Sequence, residues 1–151
     1  MIVNVPVGAK EKTYRVFVEE LPPPDLKKQN MGVRVLTKIS IPVFFTPDGA
    51  THQLAVEGLT VAKGKFVFHL KNNGNRYAQV QSIDAIGKGE SGDVFKGEAK
   101  SWYVLAGDDR VYELPVPADQ CSKIKELSVT AKVQEKTVSA KQPAPAGGCT
   151  P

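Results

Sequence analysis

The chain has 151 residues, a formal net charge of +4 and an apolar content of 41%. This composition excludes an intrinsically disordered chain, and the length is sufficient to bury a core without metal ions or disulfides. No run approaches the roughly 20 apolar residues of a membrane helix, so we expect no membrane insertion. The basic excess is mild and no aromatic residue follows Tyr112 to stack on bases, so we expect no nucleic-acid partner.

Alternating apolar and polar residues predict two strands near the start, at residues 13–21 (TYRVFVEEL) and 32–47 (GVRVLTKISIPVFFTP). Three consecutive prolines in the intervening loop exclude ladder pairing there. The second strand is unusually long, and its odd-numbered positions are apolar except for Thr37. Pro42 favours an edge strand, because proline lacks the backbone N–H that a central strand uses.

A long apolar edge strand has two interpretations. It can contribute one face to the core of a sandwich, or it can be a template on which another chain adds a strand. The pattern of residues leaves both interpretations open.

The turn TPDGA, residues 46–50, precedes seven short predicted strands. They lie at residues 53–57, 65–71, 77–83, 93–97, 101–105, 110–114 and 124–133. This number and spacing predict a complete immunoglobulin-like sandwich. The segment NNGN, residues 72–75, predicts a hairpin turn with positive φ.

The end of the chain is rich in proline, alanine and glycine, which predicts a flexible tail unless Cys149 ties it down. A Cys121–Cys149 disulfide and two free thiols are equally compatible with the spacing.

Motifs for catalysis or cofactor binding are weak. The segment GKGESG, residues 87–92, matches the dinucleotide-binding pattern, but strands follow where a helix should begin, so we interpret it as a flexible connection. His52 and His69 have no partners at metal-ligand spacing and are interpreted as surface residues. Trp102 and Tyr103 are predicted to lie in the sandwich core. We therefore expect no catalytic residues, no metal and no cofactor.

Four segments, in order, resemble the periplasmic pilus-assembly chaperones of the chaperone–usher pathway, in the branch called archaic and related to spore-coat-type systems. They are TYRVFVEELPPP, GVRVLTKISIPVFFTPDGA, LKNNGNRYAQVQ and YVLAGDDRVYELPV, and the resemblance covers about residues 11–117. Members of that family have two immunoglobulin-like domains. The first two segments resemble the sixth and seventh strands of the first domain.

The resemblance implies a domain organisation. Residues 1–47 would be the C-terminal hairpin of an incomplete N-terminal chaperone domain, 48–135 the C-terminal chaperone domain and 136–151 a flexible tail. We expect an all-β protein: a long β-hairpin followed by an immunoglobulin-like β-sandwich. We also expect the first five strands of the N-terminal domain, and a signal peptide, to be absent from this chain.

The resemblance also implies a function. A family member is an ATP-independent periplasmic chaperone that lends its seventh strand to a pilus (fimbrial) subunit lacking one and delivers that subunit to an outer-membrane usher. The donor side chains carried onto this sequence are Met31, Val33, Val35, Thr37 and Ile39. Arg15 and Lys38 are the candidates to anchor the carboxylate at the end of the subunit. Pilus subunits and the usher would be the partners. The alternative is an immunoglobulin-like structural module that self-associates through its hairpin.

Overall fold

The computed structural model describes residues 6, 8–22, 35–134, 136–145 and 147–149. These residues form ten strands and one short helix. In chain order they are β1 (Lys12–Glu19), β2 (Lys38–Phe45), β3 (Leu54–Ala62), β4 (Lys65–Asn72), β5 (Ala78–Gly89), β6 (Gly92–Ala99), β7 (Tyr103–Val104), β8 (Asp109–Pro115), α1 (Ala118–Cys121), β9 (Glu126–Val133) and β10 (Lys136–Pro143).

The strands are arranged in three antiparallel sheets. β1 and β2 form a separate two-stranded sheet, β3-β4-β8 form a second, and β10-β9-β5-β6 form a third with β7 paired to β5. The protein is all-β, with an immunoglobulin-like sandwich, as the sequence predicts. No helix in the described part of the chain is long and apolar enough to cross a membrane.

The sandwich core forms because alternate residues of the strands in both larger sheets are apolar. Along β4, Phe66, Phe68 and Leu70 are fully buried, while the residues between them remain partly exposed. They pack with buried residues of the facing sheet, including Leu127 and Val129 of β9. Each buried side chain of this size stabilises the fold by about 1.5–3 kcal/mol, so the core is the main source of stability.

The first two predicted strands are shorter than the sequence suggests. β2 covers only Lys38–Phe45, and residues 35–37 and 46–47 are not in a strand, so the prediction of one strand over 32–47 is wrong there. Residues 32–34 lie outside the described residues. The partner strand β1 ends at Glu19. Among the described residues, the last backbone hydrogen bond of the hairpin runs from Glu20 N–H to Thr37 O at 2.8 Å.

The segment NNGN connects the two large sheets and is not a hairpin turn. β4 pairs with β3 and β8, whereas β5 pairs with β6, β7 and β9, and no residue from 72 to 75 has positive φ. Gly74 is needed for a different reason: a Cβ on it would lie 2.3 Å from the Thr51 carbonyl oxygen. The hairpin prediction failed because asparagine and glycine are equally typical of a hairpin turn and of a connection between two sheets.

Asn72 holds this connection in place with all of its side-chain hydrogen-bonding capacity. Its Oδ1 accepts the N–H groups of Gln53 (3.1 Å) and Gly74 (3.0 Å). Its Nδ2 donates to the carbonyls of Arg76 (2.8 Å) and Val104 (3.1 Å). Asn72 is fully buried, so its side chain, and not water, provides these hydrogen bonds to the backbone.

The glycine-rich segment 87–92 forms the end of β5, a tight turn and the start of β6. Gly89 is the Cα partner of Gly92 across this turn. The predicted flexible connection is therefore wrong, whereas the predicted strand after the motif is confirmed. No helix begins here to receive a pyrophosphate.

The predicted flexible tail is wrong for residues 136–143, which form β10 and pair with β9 along its whole length. Its apolar signal is weak, with only Val138 and Ala140 packed against the core. The structure joins Cys121 to Cys149, with an S–S distance of 2.07 Å. This disulfide ties the end of the chain to α1.

Removal of the disulfide is expected to destabilise the protein. Replacing both cysteines, as Cys121→Ser/Cys149→Ser, frees a loop that spans 28 residues and should lower the free energy of unfolding by about 3 kcal/mol. Urea unfolding of this variant and of the parent protein measures the difference. An unchanged urea midpoint would mean that β10 and the core hold the tail without the crosslink.

Candidate functional site: an uncovered hairpin face and the adjoining cleft

The β1–β2 hairpin has one apolar face, because directly opposed residues of two antiparallel strands point to the same side. The opposed pairs on this face include Val18 with Ile39 and Val16 with Ile41. The apolar face consists of Tyr14, Val16, Val18, Ile39, Ile41, Val43 and Phe45. Five of these side chains remain between 42% and 51% exposed, so nothing in the described structure covers this face.

Both strands of the hairpin also have a free edge. Among the described residues β2 pairs only with β1, and β1 only with β2. The outer backbone groups of β2 can therefore bond to an added strand. Pro42 is tolerated because a strand at a sheet edge need not use every N–H.

The five predicted donor residues do not all lie in β2. Met31 and Val33 lie outside the described residues. Val35 is 80% exposed and Thr37 is exposed, and both precede β2. Ile39 lies within β2 on the apolar face.

On the opposite side of the hairpin, a cleft of about 440 Å³ separates it from the sandwich. The hairpin contributes Arg15, Pro42 and Phe44, and the sandwich contributes Trp102, Tyr103 and Arg110. Neither aspartate nor glutamate lines the cleft. Arg110 is paired with Asp108 at 3.3 Å, so the positive charge of the cleft comes from Arg15.

The hairpin is fixed to the sandwich by aromatic packing and by one buried carboxylate. The Phe44 ring stacks on Tyr77 with centroids 4.1 Å apart and meets Tyr103 edge-on at 5.2 Å. Glu11, only 7% exposed, accepts the Tyr77 N–H at 3.0 Å and the Thr46 hydroxyl at 2.6 Å. Sequence reasoning missed Glu11, because no local pattern marks it.

Only one of the two predicted carboxylate anchors lines the cleft. Arg15 does so, and its Nη1 donates to Ser40 Oγ at 3.2 Å. Lys38 instead pairs with Glu19 and lies over the Phe17 ring, at the far end of the hairpin. The second cation in the cleft is Arg110, which sequence reasoning missed because it comes from β8.

The prediction that Trp102 lies in the sandwich core is wrong, since the residue is 69% exposed. Tyr103 is half-buried among the rings at the junction of the hairpin and sandwich, and not in the central core. The predicted strand at residues 101–105 shortens to the two residues of β7, so the alternation that implied burial does not apply to Trp102.

Neither histidine belongs to a group of metal ligands in the described part of the chain. His69 Nδ1 lies 3.1 Å from Asp109 Oδ1. Burial lowers the pKa of His52, and the nearby positive charges of Lys136 and Arg76 lower it further. Among the described residues, no three His, Cys, Asp or Glu side chains are grouped so that they could hold a metal ion.

No known protein family matches the sequence. No curated protein matches it either.

Proposed function

We propose that this chain is a periplasmic chaperone for pilus subunits, which it binds by donor-strand complementation and delivers to an outer-membrane usher. The observation that carries the proposal is the separate β1–β2 hairpin, with an exposed apolar face and a free edge on β2. A subunit sandwich that lacks a strand needs an extended backbone to complete its ladder. It also needs apolar side chains to fill its open core.

Burial of apolar side chains favours binding without ATP. Val35, Ile39 and Ile41 are between 45% and 80% exposed, and burying the part of each side chain that is still exposed contributes about 0.7–2.4 kcal/mol. Main-chain hydrogen bonds along β2 add to this. The gain is opposed by the cost of association, so the number of apolar side chains inserted determines the affinity.

The test is to mix the purified chain with a pilus subunit that lacks its last strand and to measure a 1:1 complex by size exclusion with light scattering. The matched control is the same subunit with that strand fused to its end. The open subunit is expected to bind and the completed one is not. The proposal would be contradicted if the two subunits bound equally well, or if neither bound.

Self-association is the competing function, and the same exposed apolar face favours it. Two hairpins could stack face to face and bury their apolar side chains without any subunit. Sedimentation velocity of the chain alone distinguishes the two functions. A stable oligomer that persists in the presence of the open subunit would favour the structural module.

Arg15 is expected to contribute to subunit affinity through the positive cleft. An arginine can hold a carboxylate in a bidentate pair, so Arg15→Ala should weaken binding of a subunit with a free C-terminal carboxylate by about tenfold. Lys38→Ala, which removes a cation outside the cleft, should change binding less than about twofold. Calorimetry measures both, and the reverse ranking would place the carboxylate elsewhere.

A further inference from the structure

Trp102 is the only tryptophan of the chain, and it is presented to solvent by a fixed backbone. Its carbonyl oxygen accepts the Val80 N–H at 3.1 Å, and the Tyr112 hydroxyl donates to the neighbouring Ser101 Oγ at 2.7 Å. The indole also stacks on the Tyr103 ring, with centroids 5.9 Å apart and planes inclined by 21°. A large aromatic side chain held in this way outside the core is typical of a binding surface.

A groove of about 890 Å³ begins at the indole and runs over β5 and β6. Ile83 is buried beneath it, and its sides carry the planar polar groups of Gln81, Asp84, Glu98 and Arg110. The groove lies on the sandwich, and none of the residues that line it comes from the hairpin. The groove shares Trp102 and Arg110 with the cleft beside the hairpin, whereas Asp84 and Glu98 line the groove and not the cleft, so these two carboxylates test it separately from the proposed chaperone function.

Two carboxylates in this groove lie directly opposite each other on neighbouring strands, and among the described residues neither has an ion-pair partner. Asp84 of β5 and Glu98 of β6 are cross-strand partners, an arrangement in which like charges destabilise a sheet. Within the described part of the chain, neither side chain makes an ion pair or a hydrogen bond. Their oxygens are free to accept hydrogen bonds from a ligand.

The charges and shape of the groove select the class of ligand. Asp84 and Glu98 balance Lys100 and Arg110, and Asp108, which pairs with Arg110 at 3.3 Å, adds a further negative charge, so the groove has no excess of positive charge to attract a polyphosphate. Its polar sides do not suit a lipid tail. A flat aromatic surface beside free carboxylates and an amide suits a neutral molecule with an apolar face and a rim of hydroxyls.

We propose that this groove binds a saccharide. One sugar ring lies with its C–H face on the indole of Trp102, and its hydroxyls donate hydrogen bonds to Asp84 and Glu98. Because the groove is open and shallow, the expected dissociation constant is about 0.1–10 mM for a trisaccharide.

The fluorescence of the single tryptophan gives a direct test. The protein is titrated with the β-1,4-linked trisaccharides of glucose and of N-acetylglucosamine, with sorbitol as a polyol that has hydroxyls but no ring. At least one trisaccharide is expected to give a saturable shift of the emission, and sorbitol none. No saturation with either sugar, or the same response to sorbitol, would overturn the proposal.

Variants that leave Trp102 unchanged test whether the trisaccharide binds in this groove. Asp84→Asn/Glu98→Gln should weaken the trisaccharide at least tenfold, because an amide is a poorer acceptor for hydroxyls than a carboxylate. Glu113→Gln, which neutralises an exposed carboxylate paired with Lys65 outside the groove, is the matched control and should leave binding unchanged. Equal effects of the two changes would overturn the assignment to this groove.

Discussion

An Ile39→Asp variant is expected to bind an open pilus subunit at least about 100-fold more weakly than the parent chain. Ile39 lies in β2 on the apolar face, where the proposal inserts it into the subunit core. Because Ile39 is already half-buried in the free chain, the change removes about 0.7–1.5 kcal/mol of apolar burial, and it adds several kcal/mol for burying a carboxylate. Together these exceed the 2.7 kcal/mol or so that a 100-fold change requires.

Two further variants separate this effect from damage to the hairpin. Val35→Asp changes a predicted donor that is 80% exposed and lies before β2, so the fold should tolerate it while binding falls to a similar degree. Phe17→Asp makes the same kind of change on the opposite face of the hairpin and should leave binding within about threefold. Calorimetry with the open subunit measures all three. Equal losses for Phe17→Asp and Ile39→Asp would contradict donor-strand insertion.

An Asn72→Ala variant is expected to lose about 4 kcal/mol of stability. The change removes four hydrogen bonds of the buried amide, one to the buried Val104 carbonyl and three to part-buried backbone groups, and each contributes about 1 kcal/mol. The connection between the two large sheets would lose its organising contact, so the whole sandwich should be affected.

Urea unfolding compares Asn72→Ala with Asn73→Ala, a change at the exposed neighbour. The control should lie within about 0.5 kcal/mol of the parent chain. A loss below about 1 kcal/mol for Asn72→Ala would mean that water replaces the amide and that the side chain is not needed for the connection.

Local alternation predicted most of the sandwich. The strand with Phe66 and Phe68 was predicted because its apolar residues recur every second position, and that periodicity depends only on neighbours in sequence. β10 was missed because its alternation is weak. Its pairing with β9 and the disulfide at Cys149 are long-range contacts that composition does not encode.

The candidate site was predicted only in part. The apolar row that includes Ile39 and Ile41 is a local pattern, so its shared face follows from the sequence. The cleft is not local: Arg15, Trp102 and Arg110 come from β1, from the segment between β6 and β7, and from β8. Their proximity depends on how the hairpin is fixed to the sandwich, which no local pattern specifies.

Backbone hydrogen exchange shows whether β2 supplies its edge to a subunit. Amide exchange over residues 35–41 is followed in the free chain and in the presence of the open subunit. We predict that the amides of this segment that face away from β1 become strongly protected in the complex, because the free chain leaves that outer edge of β2 unpaired whereas β1 already pairs with the other edge. A complex in which these amides exchange as fast as in the free chain would contradict donor-strand complementation.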